Sequence, residues 1–177
     1  HLVAEEYIRD GKPVPSKFSY MEGALESLGR RRGKKLTEMK FGLTKELEPC
    51  GFRDKNVWWR GIADLVIIDE GKAWVVDYKT SKSSAYADKG QLELMALATF
   101  KHFPEIKQVN AALLFVKINN IVKDKYTEDM IPSLWEKWIA NYKRMETAYE
   151  NDIWNAHPSG LCKRHCAVIE CIHNGSN

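Results

Sequence analysis

Asp64, Asp77 and Lys79 are the residues whose types and spacing are best suited to chemistry. They lie on two apolar runs joined by Asp69-Glu70-Gly71-Lys72. That arrangement reads as two strands and a tight turn, in which the glycine supplies the positive φ such turns need. With Asp69 facing Lys72, antiparallel partners carry numbers summing to 141, and Asp64 and Asp77 are one such pair. The two carboxylates are then expected directly opposite each other on one face, with Cβ atoms about 5 Å apart. Lys79 lies two residues past Asp77 and shares that face.

Like charges paired across strands are destabilising. Two carboxylates this close need a cation between them, or one must hold a proton. A divalent metal does the first, and Lys79 adds a fixed positive charge beside it, an arrangement for metal-assisted hydrolysis of a phosphate ester. The plainer alternative is a solvated face with a Lys–Asp surface pair. The nearly continuous apolar neighbours, Leu65 to Ile68 and Ala73 to Val76, argue against it.

Asp64 followed by Asp77-Tyr78-Lys79 resembles the PD-(D/E)XK nuclease signature. The Gly-Ile-Ala-Asp and Asp-Tyr-Lys-Thr wording is similar to the RecB-like branch, including phage exonucleases. The resemblance implies an α/β (α+β) fold with a restriction-endonuclease-like core, a central mixed β-sheet flanked by helices. It implies Mg²⁺ or Mn²⁺ held by Asp64 and Asp77, with the backbone carbonyl of Tyr78 and His1 completing the protein ligands. Lys79 is then expected to orient the attacking water or stabilise the transition state. The His1 assignment follows from a His-x-x-x-Glu pattern on a helix before the sheet, matched by His1 and Glu5. In the same branch a Gln followed four residues later by Tyr lies near the substrate. Gln91 is present, while Met95 stands at the Tyr position. A helix-surface Gln with no role is the competing reading.

The chain has 177 residues and a net charge of +3, with 44% hydrophobic and 29% charged residues. These values suit one soluble domain with a real core. The charge is too mild to establish a nucleic-acid partner by itself. Basic residues are clustered, however, in Arg30-Arg31-Arg32-Gly33-Lys34-Lys35 and in Lys163-Arg164-His165. Such a run is a solvated loop or a grip on a phosphate backbone; Arg30, Arg31 and Arg32 are the candidates for DNA. No run of about 18 apolar residues marks a membrane span, and no signal peptide is visible. A cytoplasmic location is expected, the host cytoplasm if the chain is phage-encoded. It begins at His1 rather than Met, as a fragment would.

Several elements must position these groups. Residues 1–10 pattern as a helix stopped by Gly11-Lys12-Pro13, and residues 19–29 as a second. Glu22 and Glu26 on the latter are alternative ligands or plain surface. Residues 36–44 alternate with period two at Met39, Phe41 and Leu43, a half-buried strand whose Glu38 is placed to reach the site. Glu48-Pro49-Cys50-Gly51 reads as a turn. Trp58-Trp59-Arg60 opens the Asp64 strand, with Arg60 on a phosphate or an acidic neighbour. Residues 80–87 form a polar loop at the mouth of the site, and Asp88 or a neighbour caps a helix reaching Phe103. A strand over 109–118, a turn at Asn119-Asn120 and an edge strand over 121–127 follow. A long amphipathic helix from Ile131 to Tyr149 carries an aromatic stripe assigned to the core.

The tail differs from the rest. Cys162, Cys166 and Cys171 fall within ten residues, with His165 and His173 nearby. Outside a secreted protein that density points to metal more than to disulfides. RecB-like nucleases with an iron–sulfur cluster resemble this tail: three C-terminal cysteines and one far upstream hold the cluster, pinning the tail to the N-terminal segment. The upstream cysteine would precede His1, and Cys50 is the only other one. An iron–sulfur cluster, zinc bound with His165 or His173, and free thiols all remain open. Residues 1–157 are therefore expected to form the nuclease core and 158–177 a cysteine-rich tail.

The combined expectation is a metal-dependent DNA nuclease, an exonuclease of phage replication, recombination or repair type. It would work on DNA beside a recombination or replication partner such as a single-strand annealing protein or a helicase. Two other classes stay open: a nuclease fold that binds DNA without cutting it, and a zinc-binding interaction protein whose working part is the tail.

Overall fold

The structure is a computed structural model, and it describes residues 1–85 and 87–175. The chain divides into two compact units, His1–Trp138 and Ile139–Asn177. The first is built on a six-stranded mixed sheet flanked by helices. Its elements are α1 (Leu2–Asp10), α2 (Glu22–Gly29), β1 (Lys34–Leu43), β2 (Pro49–Cys50), β3 (Trp59–Asp69), β4 (Lys72–Lys79), α3 (Lys89–His102), β5 (Gln108–Phe115) and β6 (Asn120–Thr127). The strand order is β2-β1-β3-β4-β5-β6. Only β4 and β5 are parallel, joined by the crossover through α3, as parallel neighbours require.

The β3–β4 turn has the geometry its sequence dictates. Glu70 and Gly71 both have positive φ, 43° and 78°, as a two-residue turn of right-handed strands needs. The resulting register pairs Asp69 with Lys72 and Leu65 with Val76, so partners do sum to 141. Helix α1 ends where Gly11 enters the left-handed region at φ 68° and donates to the Tyr7 carbonyl, a common helix stop. Helix α3 begins at Asp88, whose side chain accepts from Gly90 N at 2.8 Å.

Alternation along β3, β4 and β5 supplies two cores. One face buries Ala73, Val75, Val109, Ala111 and Leu113 against α3. The other buries Leu65, Ile67, Val76, Tyr78 and Leu114 beneath α1 and α2. Two segments differ from expectation. Residues 16–21 are a 3₁₀ helix leading into α2, and Pro49–Cys50 is a two-residue strand where a turn was expected. The latter pairs with Gly42 and Leu43 at the sheet edge.

A last helix, α4 (Ile131–Glu150), runs from the first unit into the second. Its early residues Leu134, Trp135 and Trp138 join the core, but Met145 and Tyr149 are exposed, so the stripe is core only in part. In the second unit α5 (Gly160–Arg164) is capped by Ser159, whose N–H donates to Cys162 Sγ at 3.4 Å. Asn174 ties the following loop by donating to the carbonyls of Cys166 and Val168. Among the described residues no helix is long and apolar enough to cross a membrane.

Candidate active site

The sheet ladders open around one residue. In β1 and β3, Thr37 pairs with Leu65 and Met39 with Ala63, but Glu38 and Asp64 between them leave the pairing. Glu38 has φ 50° there, a left-handed conformation that costs a non-glycine residue about 1–2 kcal/mol. On the other side the β3–β4 ladder stops at Leu65 and Val76. Its register would set Tyr78 opposite Ala63. The Tyr78 N–H instead donates to Asp64 Oδ2 at 2.6 Å. Asp64 and Asp77 are therefore not a regular cross-strand pair, which corrects the expected geometry. The physical reason is that the Asp64 carboxylate takes a backbone donor that a continued ladder would use.

Around Asp64 three ligand-type side chains converge. His1 Nδ1 lies 2.7 Å from Asp64 Oδ1. His1, Glu38 and Asp64 each bring one ligand atom within 4.8 Å of the others, the only such group of three or more among the described residues. Helix α1 delivers His1 because Ala4 is fully buried, with Val3, Tyr7 and Ile8 packed around it; this leaves the helix's first residue over the strands. Glu5, the other half of the helix pattern, is paired with Arg9.

Asp77 stands beside this group and is held differently. Its Oδ1 accepts from Gln91 Nε2 at 2.8 Å, and Gln91 Oε1 accepts from Lys79 Nζ at 3.0 Å. Lys79 Nζ also lies 2.7 Å from Asp77 Oδ2. The contact is an ion pair by distance but off the line of a hydrogen bond, and this buried oxygen has no hydrogen-bond partner. Gln91, on the first turn of α3, thus locks Asp77 and Lys79 into one unit. A cleft of about 530 Å³ opens beside it, lined by Lys79, Gln91, Ser81, Lys82 and Ser83. This is the polar loop expected over residues 80–87; Tyr86 within it lies outside the described residues.

Burial and neighbouring charges perturb the carboxyls of the site. Burial, opposed by the Tyr78 N–H and reinforced by Asp77, pushes the Asp64 carboxyl up to about 6. Burial and the charges of Asp64 and Glu5 raise Glu38 as well. A divalent ion fits this donor set. It would offset the cost that burial sets on ionising both carboxyls. One imidazole among carboxylates suits a hard or borderline divalent metal.

Other sequence candidates lie elsewhere. Arg32 pairs with Glu70 at 2.8 Å, Arg30 with Glu26, and Arg31 lies over the Trp74 ring at 5.2 Å. These arginines sit at the turn end of the β3–β4 hairpin, about 23 Å along β4 from Lys79. Arg60 lies over the Phe52 ring at 5.6 Å. Cys50, Cys162, Cys166 and Cys171 form no disulfide. The Tyr78 N–H as an anchor for Asp64 was not anticipated, and Gln91 as the link between Asp77 and Lys79 was expected only near substrate. The polar spacing of Gln91 from Lys79, across a short loop, was the available signal.

Comparisons with known proteins bear on this geometry. A family model described as PD-(D/E)XK nuclease superfamily matches residues 2–171. No curated protein matches. Among solved structures, one described as "Crystal structure of SSO0001" is similar with a TM-score of 0.35 and 18% identity. That match covers 69% of this chain and 57% of the other, so the chain spans less than two thirds of it.

Proposed function

Since the chain belongs to the PD-(D/E)XK nuclease superfamily, we propose that it is a divalent-metal-dependent DNA nuclease, acting as an exonuclease in phage replication, recombination or repair. One observation carries this reading: the ladders open at Asp64 so that His1, Glu38 and Asp64 converge beside the Asp77–Lys79–Gln91 unit. His1, Glu38 and Asp64 would hold Mg²⁺ or Mn²⁺ together with Asp77 and the Tyr78 carbonyl. Such an ion supplies charge at the scissile phosphate and activates water for attack.

The chain's own groups do the rest. The Tyr78 N–H fixes one Asp64 oxygen, leaving the other toward His1. Lys79 keeps its ammonium, held by Asp77 and Gln91, where negative charge builds on the phosphate. A charge fixed in advance needs no reorganisation at the moment of reaction, and that is the source of its effect. Ser81, Lys82 and Ser83 line the adjoining cleft and supply donors for the flanking phosphates. Cys162, Cys166 and Cys171 are proposed to take an iron–sulfur cluster or zinc, which metal analysis of protein purified without oxygen tests directly.

The nuclease reading is tested with end-labelled linear and closed circular DNA in Mg²⁺, Mn²⁺ or EDTA. Loss of linear DNA alone, dependent on metal and absent in Asp77→Ala, is the expected result. Cutting of circles would make it an endonuclease at the same site. No cleavage with any metal would leave a DNA-binding module in place of the enzyme.

A further inference from the structure

On the face of the sheet that carries α1 and α2, part of the surface over β4, β5 and β6 beside α2 is open. The opening is a groove of about 910 Å³. Its floor is set by strand register. Trp74, Asn110 and Lys125 form one cross-strand row, Val76, Ala112 and Lys123 the next, and Leu114 and Ile121 the third. Its other wall is formed by Tyr20 at the end of the 3₁₀ segment, Gly23 and Ser27 on α2, and Arg31 in the bend that follows.

We propose that this groove binds a single nucleic-acid strand, at a surface separate from the acidic site. The inference rests on DNA being the substrate. Three features select this occupant. First, the charges facing the groove are Arg31, Lys123 and Lys125, all exposed. The one acid on its lining, Asp124, is 3.2 Å from Lys89 and is neutralised there. Second, two aromatic rings line the groove beside those charges. Arg31 lies over the half-buried Trp74 ring at 5.2 Å, and Tyr20 is 43% exposed. A basic track beside aromatic rings holds a strand through its phosphates and its base faces together. An acidic peptide would use the charges and leave the rings without a partner.

Third, the groove extends toward further basic residues. It runs along the strands for about 13 Å, from the Ile121 row to the Lys125 row, on the sheet face opposite Lys79. Arg31 then leads into the basic run that includes Lys34 and Lys35. Gly23 fits the same account. A Cβ built there meets nothing within 4 Å, so no packing demands glycine, yet its absence of a side chain keeps the groove wide.

The test is fluorescence anisotropy with labelled oligothymidylate in EDTA, across a salt series, on the full chain. The variants are Lys123→Glu/Lys125→Glu and Gly23→Leu, all at exposed positions. The charge reversals are expected to weaken binding at least tenfold and to lower the salt slope by about 1.4, two phosphates at about 0.7 each. Gly23→Leu is expected to weaken binding with the slope kept, since it blocks space and leaves charge alone. Unchanged affinity and slope in both variants would overturn the proposal. So would poly-glutamate binding that depends on Lys123 and Lys125 while oligothymidylate binding does not. Hydrolysis of bis(4-nitrophenyl) phosphate with Mn²⁺, a diester too small to span the groove, is expected to be equal in wild type and variants. If the wild type lacks that hydrolysis the acidic-site reading fails, and the anisotropy result still decides the groove.

Discussion

Replacing Asp64 by Asn should stabilise the metal-free protein while removing its response to metal. The Asp64 carboxyl rises from 3.8 to about 6 in the fold, chiefly through burial. Its folded value lies above its unfolded one, so the ionised form opposes folding. Below about pH 4 the group is protonated in both states and contributes no difference. Between pH 4 and 6 the penalty grows, and above pH 6 it is constant. At 1.36 kcal/mol for each pH unit between the two values, it reaches on the order of 3 kcal/mol. Asn removes that penalty and keeps an oxygen to accept the Tyr78 N–H. For a chain of this size the gain corresponds to a Tm rise of about 6–12 °C. The assay is thermal unfolding in EDTA from pH 4 to pH 8, for wild type and Asp64→Asn. The expected result is equal Tm at pH 4 and a gap that opens by pH 6. Excess Mn²⁺ should then close the gap, because binding to the native state alone stabilises the wild type. A gap independent of pH, or a wild type more stable than the variant at pH 8 in EDTA, would refute the reasoning.

Three further outcomes follow from the same geometry. Gln91→Ala frees Asp77 and Lys79 from each other, so kcat should fall about 10- to 100-fold with KM for DNA little changed; a change confined to KM would contradict the positioning role. Protons compete with metal for Asp64, so the Mn²⁺ affinity measured by calorimetry should fall about tenfold per pH unit below pH 6 and level off above it. A flat profile from pH 4 to pH 6 would contradict the burial of that carboxyl. Gly33 has φ 112°, and a Cβ there would lie 2.4 Å from the Ile68 carbonyl oxygen. Gly33→Ala should therefore lower stability by more than about 1 kcal/mol in urea unfolding, whereas an unchanged midpoint would mean the turn relaxes freely.

Much of this was legible because it is local. The Asp69–Lys72 turn fixes the register of β3 and β4, and with it the approximate placement of Asp64, Asp77 and Lys79. Asp88 announces the start of α3 and so brings Gln91 to the site. Period-two alternation around Met39 put Glu38 on the polar face. What was not legible depends on contacts distant in sequence. The positive φ of Glu38 and the broken ladder at Asp64 arise only when β1, β3 and β4 lie side by side. The partners of the arginine run, Glu26, Glu70 and the Trp74 ring, are brought to it only by the folded chain. The groove between α2 and strands β4, β5 and β6 arises only when these elements come together, which no periodicity reveals.

The central claim is that the acidic cluster around Asp64 and Asp77 cleaves DNA with a divalent ion. Its most direct test is single-turnover cleavage of end-labelled DNA in Mn²⁺ by wild type and Asp77→Asn, with binding measured separately in EDTA. The account predicts a loss of at least about 100-fold in the cleavage rate, with DNA affinity unchanged. An Asp77→Asn protein that cuts at the wild-type rate would place the chemistry elsewhere and contradict the account.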